Sequence, residues 1–310
     1  MKTLSRQAYE EIRRWIYRNA RPLELALWQC HFEGGSKDEV LHRLQFYQNS
    51  DGGYGNTIEP DNWNPVSSPY AAHFVIRILK QIDFLDTSHP VYQDLFRFLE
   101  HTEYKADYGW FFVIPFKEDY PHAIWWDYSE QANESQSIGI TAILSGFILR
   151  YADSKSRIYH MADEYCKRLL ERLPATENFG DMGVGGYLSL LEDLEAAGLG
   201  KTYDTPSVSD MILDLVRDKM RKEKDNFMAR PLEFITSPDS FLYEEYKEEI
   251  EKELDHIIDR RPSSEVWNIP WQWYKGDQYL KEFAISENWW RSFEAIDKIL
   301  KLERFGRFKR

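Results

Sequence analysis

Gln48-Asn49-Ser50-Asp51-Gly52-Gly53-Tyr54-Gly55 is the stretch on which the fold of this chain turns. Paired glycines permit positive φ, Asp51 can cap the turn, and the Gln48 amide can bond backbone groups at the end of a neighbouring helix while the Tyr54 ring packs between helices. The residues before it follow a helical pattern. Ser36 opens a capping box with Glu39, and Val40, Leu41, Leu44 and Tyr47 recur at helical spacing. The residues after it do the same. Ser68-Pro69 supplies an N-cap and a proline at the first helical position, and Ala71, Phe74, Val75, Ile78 and Leu79 share one apolar face. Weaker echoes of the turn are Asp107-Tyr108-Gly109-Trp110, Gly185-Gly186-Tyr187 and Arg261-Pro262-Ser263-Ser264-Glu265-Val266-Trp267. A unit of helix, turn, aromatic and helix that recurs at irregular intervals predicts a stacked or ring-like array of helix pairs.

Helical periodicity extends over most of the remaining chain. His89-Pro90 opens a helix carrying Val91, Leu95, Phe98 and Leu99; others are expected over residues 134–151, 154–173, 186–197, 207–221, 238–260 and 278–303, and two precede Gly34-Gly35. Trp110 to Phe116 is the one apolar run with β-propensity, and nothing reads as paired strands. No Ser/Gly/Pro-rich linker divides the chain. The expectation is an all-α protein with helix in more than half its residues, a single domain over 1–310 of about a dozen helices joined by irregular loops.

Composition narrows the function. The chain has 310 residues, 43% hydrophobic and 29% charged, with a net charge of −13. A core is available, and such an acidic surface repels nucleic acid phosphates. Cys30 and Cys166 cannot make a disulfide framework and fit a reducing compartment. The start, MKTLSRQAYEEIRRW, shows no apolar signal region, and no apolar run is long enough to cross a membrane, so a cytoplasmic location is expected. Aromatics reach 15%, with 11 Trp, 19 Tyr and 18 Phe. They are read either as the lining of a cavity or as an aromatic-heavy core.

Gln48 to Gly55 matches Q-x-x-D-G-G-aromatic-G, with Tyr54 where tryptophan is usual, and so resembles the repeat turn of the α/α-toroids in squalene–hopene cyclases and protein prenyltransferase β-subunits. Trp267-Asn268-Ile269-Pro270-Trp271-Gln272-Trp273, followed by Trp289-Trp290, resembles a closing repeat in which Arg261 and Ser264 replace the Gln and Asp. The resemblance implies a single α/α-toroid domain over 1–310 and a terpenoid cyclase-like protein that binds or cyclises a small hydrophobic, isoprenoid-like ligand in an aromatic-lined central cavity.

The D-x-D-D acid of such cyclases is missing. Serines stand at Val66-Ser67-Ser68-Pro69, and the nearest acids are Glu59 and Asp61 in Ile58-Glu59-Pro60-Asp61-Asn62. A buried Glu59–Asp61 pair can hold one proton between two carboxylates; alternatively both cap the following turn and helix. His122, beside Trp125 and Trp126, is a candidate acid or base. Trp63, Trp110, Trp125, Trp126, Trp271 and Trp273 are candidate walls, since indole faces attract cations. Gln48, Asp51, Gly52, Gly53 and Tyr54 are read as the structural turn. No D-D-x-x-D run holds magnesium, and neither cysteine has a zinc partner, so neither metal nor cofactor is expected. Glu244 to Asp255 reads as the wet face of a long helix, and the basic end from Lys301 to Arg310 is compatible with weak contact to a membrane surface. Two other readings stay open: a glycoside hydrolase or lyase on a helical toroid, and a non-catalytic binding or scaffold protein.

Overall fold

The computed structural model describes residues 1–115, 120–224 and 226–309. Helix accounts for 60% of the chain and strand for 3%, and the described residues contain twelve α-helices. The all-α class follows from the periodicity noted above. Two compact units are distinguished: residues 1–43 with 219–310, and residues 44–218.

The first unit contains α1 (Arg6–Asn19), α2 (Pro22–Phe32), most of α3 (Lys37–Leu44), the short α10 (Pro231–Phe234), α11 (Lys247–Arg260) and α12 (Leu280–Arg304). Ser5 caps α1 through its hydroxyl, and Ser36 accepts from the Glu39 amide as the capping box requires. Ile12, Ile16, Leu27, Trp28, Ile250, Leu254, Phe293 and Ile296 fill the core. Both ends of the chain are fastened here. The Leu4 amide donates to the Arg307 carbonyl, and the fully buried Arg307 guanidinium donates to the Lys2 carbonyl at 2.7 Å and to Asp255 at 2.6 Å. Helix α11 starts at Lys247 rather than near 238, because residues 238–246 form successive turns with Leu242 in left-handed backbone.

The second unit runs through α4 (Pro69–Gln81), α5 (Pro90–His101), a two-residue hairpin of β1 (Lys105–Ala106) and β2 (Gly109–Trp110), α6 (Glu130–Tyr151), α7 (Arg157–Arg172), α8 (Gly183–Ala196) and most of α9 (Thr205–Lys222). Helix α6 is its centre, with thirteen buried residues and apolar side chains on every side. The β-prone run therefore does begin in a strand, but one only two residues long; Phe116 lies outside the described residues.

The aromatic turns share a sequence flavour but not a structure. Gly185-Gly186-Tyr187 lies inside α8 rather than in a turn. A Cβ on Gly186 would lie 2.6 Å from the Gly139 Cα atom, and one on Gly139 would lie 2.5 Å from the Met182 backbone, so these glycines let α6 and α8 touch backbone to backbone. Gly109 adopts φ +134 in the hairpin beside Thr141. In the 261–267 segment Arg261 forms an ion pair with Glu11 at 2.8 Å, in place of the cap chemistry of the complete turn.

Candidate functional site

The turn at 48–55 holds the segment that follows it. Asp51 accepts the Gly53 amide at 2.9 Å and the Ser67 hydroxyl at 2.8 Å, which fastens the turn to the residue before the α4 cap. The Gln48 amide donates to the Gly52 carbonyl at 3.3 Å and to the Asp94 carboxylate on α5 at 3.1 Å, so it meets a side chain in mid-helix rather than backbone at a helix end. Gly52 has φ +90, and a Cβ on Gly53 would lie 2.6 Å from the Phe98 ring. Tyr54 is buried, as a ring packed between helices should be.

From this anchor the chain crosses left-handed backbone at Asn56 and Thr57, φ 53 and 68, an unfavourable place for a β-branched residue. It then forms a loop in which Asn62 and Asn64 each accept an amide two residues on. This loop pairs with residues 121–123: the Trp63 amide donates to the Pro121 carbonyl at 2.9 Å and the Ala123 amide to the Asp61 carbonyl at 3.0 Å. The pairing places the loop carrying Glu59 and Asp61 beside the one carrying His122 and Trp126. Both carboxylate residues are buried, Glu59 at 5% exposure and Asp61 at 1%.

The group these acids act on is Tyr70, in the first turn of α4, which sequence reasoning did not single out. Its phenol is held above its ordinary value, first by burial and then by the negative charge of Glu59; Arg77 opposes this and Asp61 adds a smaller push. The Tyr70 ring lies edge-on to His73 at 5.3 Å, to Phe112 at 5.1 Å and to Trp126 at 4.5 Å, while Phe112 and Trp126 stack at 5.3 Å. Asn133 and Ser137 on α6 hold Phe112 in place by accepting its amide at 3.0 and 2.9 Å.

His73 is nine-tenths buried, and burial, aided by the positive charges of Arg77 and Lys80, pushes its imidazole down to about 3. It is neutral at physiological pH. Its Nδ1 has no hydrogen-bond partner, and neither has the buried Nε1 of Trp126. Buried polar atoms without partners are uncommon in folded proteins, and two of them lie beside this one tyrosine ring. Nothing in the sequence distinguishes Tyr70 and His73, a Tyr and a His three residues apart at a helix start, from ordinary core.

The other candidates have different surroundings. His122 is buried rather than exposed, with Nε2 at 2.8 Å from Asp127 and Nδ1 at 2.5 Å from the Tyr120 carbonyl. Trp110 is a core anchor, fully buried, with its indole N–H donating to the Leu99 carbonyl at 3.0 Å. Trp63 is half-buried, its N–H on the Pro60 carbonyl, and Trp125 is half-buried in a short turn of 3₁₀ helix. Trp271 and Trp273 belong to the other unit: Trp271 stacks on Phe227 and meets Trp290 edge-on, and Trp273 packs on Phe283 and Tyr279. Ser67 is engaged by Asp51 and by the Asn49 amide at 2.9 Å.

No family model, curated protein or solved structure matches this chain. Among the described residues, no group of three or more His, Cys, Asp or Glu side chains is placed to hold a metal ion. Among the described residues, no helix is long and apolar enough to cross a membrane. What the cluster offers is carboxylates in a desolvated place, a phenol that stays protonated, a neutral imidazole, and the faces of Phe112 and Trp126. That set can pass a proton to or from a ligand and can stabilise positive charge.

Proposed function

We propose that the chain binds an apolar, isoprenoid-like molecule at the Tyr70 cluster and isomerises or cyclises it by protonation. The observation that carries this reading is the burial of Glu59 and Asp61 beside Tyr70, whose half-buried ring meets Phe112 and Trp126 edge-on. Burial favours the neutral form of a carboxyl, and one of the two serves as the acid. The protonated one donates to a carbon–carbon double bond, whose π electrons form the new C–H bond and leave a carbocation. The rings of Trp126 and Phe112 favour that charge, each by about 0.5–2 kcal/mol. Loss of a neighbouring proton to the carboxylate closes the cycle and restores the acid. Tyr70 and His73 supply polar contacts at the edge of the apolar surface.

The test is mass spectrometry of small molecules that co-purify with the chain, followed by thermal-shift and turnover measurements against a panel of isoprenoid alcohols and hydrocarbons. Asp61→Asn is expected to abolish turnover and to leave affinity within about threefold, since shape is conserved and only a proton is lost. If no member of the panel raises the melting temperature or is converted, the proposal fails.

A further inference from the structure

A cavity with charged lining lies at the opposite end of α4 from Tyr70. Its volume is about 210 Å³, and it sits where α4, α6 and α8 end. Asp193 of α8 is its deepest charged group, 1% exposed, with one carboxylate oxygen 2.5 Å from the Lys80 ammonium and the other 3.1 Å from the Arg150 guanidinium. Lys80 and Arg150, each in the last turn of its helix, are about one-third exposed along their side chains. An ammonium has three donors and a guanidinium five, so these bonds to Asp193 leave donors on both cations. The Arg150 guanidinium lies 5.0 Å over the Tyr151 ring, a cation–π contact that helps hold it, and a guanidinium is suited to a carboxylate. Leu79, Phe84 and Tyr92 supply apolar wall, and Asp83 and Glu192 stand at the exposed rim.

The charges are therefore sorted by depth. Two cations against one carboxylate leave the inner cluster net positive, while the exposed rim carries two acids. The carbonyl ends of three helices add to the negative character there, favouring cations. A simple anion would meet Lys80 and Arg150 favourably but the rim and helix ends unfavourably, and a simple amine would face the two cations. Both sets are satisfied by one molecule carrying both charges on a small frame with an apolar body. We propose that this cavity binds a small zwitterion, an α-amino acid with an apolar side chain: its carboxylate on Arg150 and Lys80, its ammonium toward Asp83 and Glu192, its side chain against Phe84 and Tyr92. The cavity is independent of the Tyr70 cluster.

Isothermal titration of the intact chain with leucine, phenylalanine and methionine, beside their N-acetyl and carboxamide derivatives, tests this. Binding of at least one free amino acid is expected, with each blocked form weakened at least tenfold, about 1.4 kcal/mol or more. Arg150→Gln is expected to abolish binding; because it also leaves Asp193 with one partner fewer, the exposed rim pair Asp83→Asn with Glu192→Gln is measured as well, and should weaken the free amino acid at least tenfold. An N-acetyl or carboxamide form that binds as tightly as its parent would reveal a single-charge site and overturn the proposal. Absence of heat with every free amino acid would mean that Asp193 only ties three helices together, and would equally overturn it.

Discussion

His73→Phe is the substitution that most directly probes the buried cluster. The phenylalanine ring keeps the edge contact with Tyr70 and removes an imidazole whose Nδ1 has no partner. In the folded chain the imidazole is pushed down to about 3, against an ordinary value near 6.5. The folded state therefore binds fewer protons than the unfolded one between those values, and stability falls as pH drops through that window. From about pH 8 to about pH 5 the unfolded histidine gains nearly a full proton, which lowers the stability of the wild-type chain by about 2 kcal/mol through this group alone. Every other titrating group contributes equally to both proteins, so the difference between them isolates His73. Urea unfolding midpoints at the two pH values are the assay. The Phe variant is expected to lose about 2 kcal/mol less than wild type on acidification. At the higher pH it should match or exceed wild-type stability, since an unsatisfied buried polar atom has been removed. Parallel losses in the two proteins would refute the reasoning, because they would mean that His73 can take up its proton in the folded state.

Three further outcomes follow from other parts of the structure. Asp51→Ala should lower stability by about 2 kcal/mol, because it removes the acceptor of the Gly53 amide and leaves the buried Ser67 hydroxyl without that acceptor. Asp51→Asn, which keeps the oxygen, should stay within about 0.5 kcal/mol of wild type by the same urea measurement. Gly139→Ala should cost about 2–3 kcal/mol, since its Cβ would lie 2.5 Å from the Met182 backbone and force α6 from α8; a midpoint unchanged in urea would show that the helices can part freely. Cys166 is fully buried, and burial above all pushes its thiol up to about 12, so a thiol reagent at about pH 8 should label it only after unfolding, whereas half-buried Cys30 should react slowly in the native chain.

Periodicity and capping chemistry are local, and the sequence by itself determined what depends on them. The helix at Pro69 starts where Ser68 and a proline at the first position require, and Asp51 caps the turn that its spacing from Gly53 implies. Local signals also have local limits. Gly185-Gly186-Tyr187 carries the same letters as part of a turn, but the glycines serve a helix crossing, because what matters is the Gly139 backbone 2.6 Å away and nearly fifty residues distant in sequence. The candidate site shows the same division. Glu59 and Asp61 were legible as acids in an unusual loop, yet their burial depends on the pairing of that loop with residues 121–123, a contact made across about sixty residues. Tyr70 and His73 carried no signal of their own, since an aromatic and a histidine on an apolar helix face are ordinary core residues. Only the tertiary structure brought Phe112 and Trp126 to the same ring and left two buried nitrogens without partners. Lys80, Arg150 and Asp193 are likewise ordinary surface letters on three separate helices. Their conversion into one cavity was decided by where α4, α6 and α8 end in space, because charge pairing acts over a few ångströms and carries no trace in sequence separation.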